Sequence, residues 1–142
     1  MPDEVGVIGK ASVVREGADL TLVTYGAMLK TSLAAVERIQ KDGEASIEVV
    51  DLLTLSPYDS ETVARSVEKT GRCVVVHEAV KTGGMAAEVI ARLNEDCFYA
   101  LRAPIARVTA WDVPYPLYAR ERAMLPDVER IASALQSTLD AD

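Results

Sequence analysis

Arg72 to Ala79 reads Arg-Cys-Val-Val-Val-His-Glu-Ala, the most apolar strand pattern in the chain. It has no alternation of apolar and polar residues, so it suits a strand with both faces covered. Gly83-Gly84 and a helical pattern from about Met85 to Asp96 follow it. Working backwards, a helix leads from Ser60 through Glu68 to a stop at Gly71, and before it Ser46 to Leu53 (SIEVVDLL) forms a strand broken by Ser56-Pro57. Ala27 to Lys41 carries Leu29, Leu33, Val36 and Ile39 at helical spacing, one apolar stripe, with Asp42-Gly43 ending it in the manner of a C-cap. Asp19 to Tyr25 (DLTLVTY) is a buried strand stopping at Gly26, and Gly9 to Glu16 (GKASVVRE) is a shorter one stopping at Gly17. Working forwards, Ile105 to Thr109 is a last short strand. A turn with Pro114 and Pro116 follows, and then a helix from Leu125-Pro126-Asp127 to about Leu139, with Pro126 in its first turn.

Strands alternating with helices predict a three-layer α/β/α sandwich around a sheet of about five mostly parallel strands. The first strand precedes any helix and is joined to the second by a short turn at Gly17. A parallel pair needs a longer crossover, so this strand is expected to be an antiparallel edge strand.

A chain of 142 residues, 49% of them hydrophobic, is one domain's worth of sequence, able to bury roughly two-thirds of its unfolded surface. No apolar run approaches the ~20 residues of a membrane span. Met1 to Val5 lacks the basic and apolar regions of a signal peptide, so a cytoplasmic location is expected and a membrane partner is not. The net charge is -7, from 15 basic and 22 acidic residues. The basic residues are scattered, which argues against nucleic acid as a partner, since phosphate neutralisation needs clustered Lys and Arg. Cys73 and Cys97 are far apart, without Cys-x-x-Cys or a histidine at ligand spacing; they are expected to be reduced thiols and no zinc site is expected.

In such sheets ligands sit beyond the carboxyl ends of the strands. The residues there are Tyr25-Gly26-Ala27, Asp51 to Thr54, His77-Glu78 and Thr109 to Asp112. Gly26-Ala27-Met28-Leu29-Lys30-Thr31 lacks the second glycine of a phosphate loop, and the Gly-x-Gly-x-x-Gly pattern is missing too. A sharp turn at Gly26 and a flexible helix entry at Gly83-Gly84 are the expected roles, with an anion site at either as the alternative. His77, the one histidine, could face the edge of a cleft. Glu78, its neighbour on the strand, points to the opposite face, so a hydrogen-bonded structural or interface histidine is expected rather than a general base. Trp111, Tyr115 and Tyr118 lie together in the Pro-rich turn, either as an interface patch or as a cover for the domain's own core. No Ser/His/Asp set, carboxylate pair or metal signature emerges, so no catalytic, cofactor or metal residue is assigned.

Several segments taken in order resemble a known family: Ile8 to Ala11, Val14 to Gly26 (VREGADLTLVTYG), Val50 to Pro57 (VDLLTLSP), Ser66 to Arg72 (SVEKTGR), His77-Glu78-Ala79, Ala103 to Thr109 (APIARVT) and Asp112 to Pro116 (DVPYP). Together they resemble the transketolase C-terminal domain as found in beta subunits of pyruvate and branched-chain 2-oxo-acid (2-oxoisovalerate) dehydrogenases, over nearly the whole chain. The resemblance implies a parent enzyme that oxidatively decarboxylates a 2-oxo acid and passes the acyl group to lipoamide. Thiamine diphosphate and magnesium would be held by the alpha subunit and by the amino-terminal domain of the beta subunit. This domain would hold the assembly together, with an alpha subunit, a second beta subunit and the subunit-binding domain of the acyltransferase core as partners, and would be inactive alone. Met1-Pro2-Asp3-Glu4 falls where the family's interdomain linker would end, so residues 1–8 are expected to be a linker remnant and 9–142 the domain.

Candidate interface residues are Tyr25, His77, Glu78, Arg102, Trp111, Tyr115 and Tyr118. Two positions depart from the family pattern. Leu53 stands where an arginine is common, and Arg102 where an acidic residue is often found near the acyltransferase docking surface. Three alternatives remain: a stand-alone nucleotide- or anion-binding module using the Gly26 turn, a stand-alone interaction protein that forms homodimers through its exposed edge (a homodimer being expected of a fragment too), and the equivalent domain of transketolase or deoxyxylulose-phosphate synthase.

Overall fold

The structure, a computed structural model, describes residues 6–141. Most of the expected linker remnant, residues 1–5, lies outside them. Five strands, β1 (Ser12–Arg15), β2 (Leu20–Thr24), β3 (Ile47–Asp51), β4 (Cys73–Val80) and β5 (Ala106–Ala110), form one sheet in the order β1-β3-β2-β4-β5. β2, β3, β4 and β5 run parallel, and β1 pairs antiparallel with β3 through Ser12↔Asp51 and Val13↔Val50. The helices are α1 (Met28–Asp42), α2 (Ser60–Thr70), α3 (Met85–Cys97), the short α4 (Glu121–Met124) and α5 (Val128–Leu139).

Alternation along the strands divides the core in two. Leu20, Leu22, Ile47, Val49, Val74 and Val76 point to the face covered by α1 and α5, where they meet Val36, Ile131 and Leu135. Val23, Val50, Cys73 and Val75 point to the face of α2 and α3, where they meet Val63, Val67, Val89 and Leu93. The result is the three-layer sandwich.

The α2 face also carries a polar inclusion. The Thr21 hydroxyl lies 2.7 Å from the Ser66 hydroxyl and 2.8 Å from that of Thr70. Ser66 donates to Glu48 at 2.6 Å, and the Lys69 ammonium pairs with the same carboxylate. Burial alone would raise the Glu48 pKa. The Lys69, Ser66 and Gly17 donors together outweigh that and hold its carboxyl below the ordinary value.

β1 is the antiparallel edge strand, but its neighbour is β3 and not β2, so the link between β1 and β2 must pass the start of β3. It does so at Gly17, whose backbone lies so close that a Cβ there would be 2.1 Å from the Glu48 nitrogen. Ala18 and Asp19 N–H groups both donate to the Ser46 carbonyl oxygen, and the Asp19 carboxylate accepts from the Ser46 N–H, fixing the crossing.

The apolar stripe expected on α1 packs on the core, and two other local expectations are corrected. The innermost residues of α1 are Met28, Ser32, Ala35 and Val36, with Leu29, Leu33 and Ile39 packed around them. The small Ser32 and Ala35 are as fully buried as Val36. Gly43 ends α1 in an extended conformation (φ -159°), not a left-handed cap, in contrast to Gly71 after α2 (φ 72°), whose N–H donates to Val67. Pro126 precedes the N-cap instead of entering the first turn of α5, because the Asp127 carboxylate caps that helix by accepting from Arg130 N–H at 2.8 Å.

Candidate functional site

The carboxyl ends of β2 and β4 and the segment after β5 enclose a cleft of about 480 Å³. Tyr25 follows β2, Glu78 and Val80 come from the end of β4, and Tyr115, Glu121 and Met124 come from the segment beyond β5. The pairing between β4 and β5 is irregular between Val76 and Val80, so this end of β4 leaves the regular ladder just where the cleft forms.

His77 and Glu78 take opposite faces. His77 is fully buried, its ring 6.0 Å from that of Tyr25 and inclined to it by 29°. Its Nδ1–H donates to the Ala79 carbonyl oxygen at 3.1 Å, leaving Nε2 as a buried acceptor without a partner. Burial, with Arg107 acting in the same direction, lowers its pKa below the ordinary 6.5. Gly84 closes over this ring. A Cβ at that position would lie 2.5 Å from the Val80 carbonyl oxygen and 2.7 Å from His77 Cε1. Gly84 is therefore a place of close packing and not a flexible entry; Gly83, at φ +72° with open space around it, makes the turn.

Glu78 is exposed and lines the cleft. Tyr25 is partly buried, and burial and then Glu78 raise its phenol above the ordinary value. Tyr115 is 63% exposed and donates its hydroxyl to Glu121; that bond, then burial, then the charges of Glu121 and Glu78 raise its pKa. Trp111 is half exposed, with the Arg130 guanidinium 4.1 Å over its ring; the same guanidinium donates to the Thr109 carbonyl oxygen at 2.7 Å. Asp112 accepts from the Thr82 hydroxyl at 2.6 Å and the Thr82 N–H at 3.0 Å, which ties the β4–α3 loop to the segment after β5 and keeps its carboxyl below the usual range.

The seven candidate interface residues thus separate. Tyr25, Glu78 and Tyr115 line the cleft, His77 lies beneath it, Trp111 stands just after β5, and Tyr118 is almost wholly exposed without lining the cleft. Arg102 lies elsewhere. Its N–H donates to the Gly71 carbonyl oxygen at 2.8 Å and its side chain covers Gly71, between α2 and the start of β4. It borders a groove of about 620 Å³ with Phe98, Tyr99 and Ile105.

Sequence reading missed Glu121, Met124, Phe98 and Tyr99. The adjacent aromatics after α3 were a usable signal. Nothing marks Glu121, which reaches the cleft only because α4 folds back.

Gly26 turns at φ +61° with open space around it, and no side chain caps α1. Among the described residues no three His, Cys, Asp or Glu side chains converge to hold a metal ion. Cys73 and Cys97 are free and buried in the α2/α3 core, and burial pushes the Cys73 thiol far up. These residues do not fit a magnesium–diphosphate group.

Residues 9–131 match the family described as "Transketolase, C-terminal domain". The pyruvate dehydrogenase E1 component subunit beta of Staphylococcus epidermidis is 49% identical over 133 residues, covering 94% of this chain and 41% of the relative. The Staphylococcus aureus protein of the same name is 47% identical over the same length. The chain spans about two-fifths of the length of these curated relatives. A solved structure described as "Split gene transketolase, inactive beta4 tetramer" superposes with a TM-score of 0.83 at 28% identity, covering 99% of this chain and 45% of that one. A 2-oxoglutarate:ferredoxin oxidoreductase from Magnetococcus marinus shares the fold at 13% identity and a TM-score of 0.57.

Proposed function

This chain belongs to the transketolase C-terminal domain family, and we propose that it serves as the non-catalytic assembly and docking domain of the beta subunit of a thiamine-diphosphate-dependent 2-oxo-acid dehydrogenase. The parent enzyme would decarboxylate a 2-oxo acid oxidatively and hand the acyl group to lipoamide. Pyruvate is the substrate that the names of the relatives support. In this reading thiamine diphosphate and magnesium belong to other domains of the assembled enzyme. The partners are the alpha subunit, a second beta subunit and the acyltransferase core, and the location is the cytoplasm.

One observation carries the reading. Where an open α/β sheet usually binds its ligand, this domain carries exposed apolar residues close together in sequence: Trp111, Val113, Tyr115, Leu117 and Tyr118, the last two 93% and 97% exposed. Exposed apolar side chains concentrated in this way mark surfaces that another chain covers. The tetramer named for the split-gene transketolase supports a second copy as one such chain.

The test is capture of the matching alpha subunit by the purified chain, beside calorimetric titration of the chain alone with thiamine diphosphate and magnesium. Capture without a binding heat is expected. A clear binding heat from the chain alone would overturn the non-catalytic assignment.

A further inference from the structure

We propose that the cleft bounded by Tyr25, Glu78, Tyr115 and Glu121 receives an arginine side chain from a partner protein, anchoring the assembly face at its centre. The inference rests on the assembly reading above and adds the chemistry of the contact.

The walls are aromatic and apolar. The Tyr25 ring is stacked on buried His77, the Tyr115 hydroxyl is tied to Glu121, and Met124 and Leu125 complete the lining. Two carboxylates share this space, and neither forms an ion pair among the described residues. Arg120 and Arg122 flank Glu121 in sequence, yet neither pairs with it or with Glu78. Lys81, next after Val80, acts on Asp112 instead. Glu78 raises both phenols, so its field reaches across the cleft from Tyr25 to Tyr115. The cleft is therefore negative and aromatic-walled, and among the described residues no cation lines it.

A guanidinium matches this chemistry better than an ammonium. It is planar and weakly hydrated, stacks on phenol rings and donates in parallel to carboxylates. The exposed apolar segment to which Tyr115 belongs extends beyond the cleft, and a small free cation would leave it uncovered. A protein surface would cover both.

The test is an NMR titration of the chain carrying ¹³C-labelled tyrosine with N-acetyl-arginine methylamide, using the lysine and citrulline counterparts as controls. Saturable shifts of Tyr25 and Tyr115 are expected in the millimolar range. They should weaken at least about tenfold with citrulline or in the E78Q/E121Q variant. No saturable shift, or an equal response to citrulline, overturns the proposal; an equal response to lysine overturns the choice of arginine.

Capture of the alpha subunit runs in parallel. Capture by the native chain that falls at least about tenfold with E78Q/E121Q supports the anchor. Equal capture by both overturns the anchor and leaves the assembly reading standing. A positive titration with no capture overturns the assembly reading, and the anchor with it, and leaves only the affinity of the cleft for a guanidinium.

Discussion

Gly84 is the residue on which the strand-end geometry turns. Alanine there would place its Cβ 2.5 Å from a carbonyl oxygen and 2.7 Å from the His77 ring. The ring cannot retreat freely, because it is packed against Tyr25 and hydrogen-bonded to Ala79. We expect G84A to lose about 2–3 kcal/mol of stability in urea denaturation, the upper range for forced overpacking. His77 supplies a second expectation. Its folded pKa lies below the ordinary 6.5, so below that pH the unfolded chain takes up a proton that the folded chain refuses. Stability should be level above 6.5, fall as pH drops below it, and level off once the folded pKa is passed, with a slope of at most about 1.4 kcal/mol per pH unit. Denaturation between pH 7.5 and 5 checks this, and replacement by Asn should flatten the curve. That His77 and Glu78 take opposite faces follows from strand alternation and was legible in the sequence. The closeness of Gly84 to the ring was not, because the two are separated in sequence and meet only when the β4–α3 loop folds back.

Among the elements, the strands were the most legible. Their apolar runs are long, and each is bounded by glycine or proline. The direction of β1 was legible too, since the Gly17 link is too short for a parallel crossover. Its neighbour was not, because the place beside β3 depends on the chain passing the Ile47–Glu48 backbone, which no local pattern records. G17A should therefore be the most damaging small substitution in the chain. Its Cβ would fall 2.1 Å from one backbone atom and 2.2 Å from another, and a loss of about 3 kcal/mol or more is expected, read as a lowered urea midpoint. Beside this crossing, Glu48 locks α2 to the sheet through Ser66 and Lys69. Its folded pKa is depressed from 4.5, so its contribution is present above that pH and lost as pH falls through the folded value. This acid limb begins at a lower pH than the limb from His77, and E48Q should remove it alone.

Across the whole molecule, one end of the sheet is built for stability and the other carries the unsatisfied surface. At the starts of the strands, Gly17, Glu48, Lys69 and Gly71 are hydrogen-bonded to one another's elements. At the carboxyl ends, Leu117 and Tyr118 are almost fully exposed. Their replacement in L117S/Y118S should change stability by less than about 0.5 kcal/mol, as for ordinary surface positions, while sharply weakening capture of an alpha subunit. The sequence placed Trp111, Tyr115 and Tyr118 together but left open whether they cover the domain's own core. Periodicity cannot settle that question in an irregular segment. The acidic side of the cleft was illegible for the same reason, since Glu121 meets Glu78 only through the return of the chain after Pro116.

The most direct test is calorimetric titration of this chain with thiamine diphosphate and magnesium, followed by addition of the matching alpha subunit. No heat in the first stage and a saturable heat of association in the second are expected of an assembly domain. Cofactor binding by the chain alone, with no association in the second stage, would contradict it.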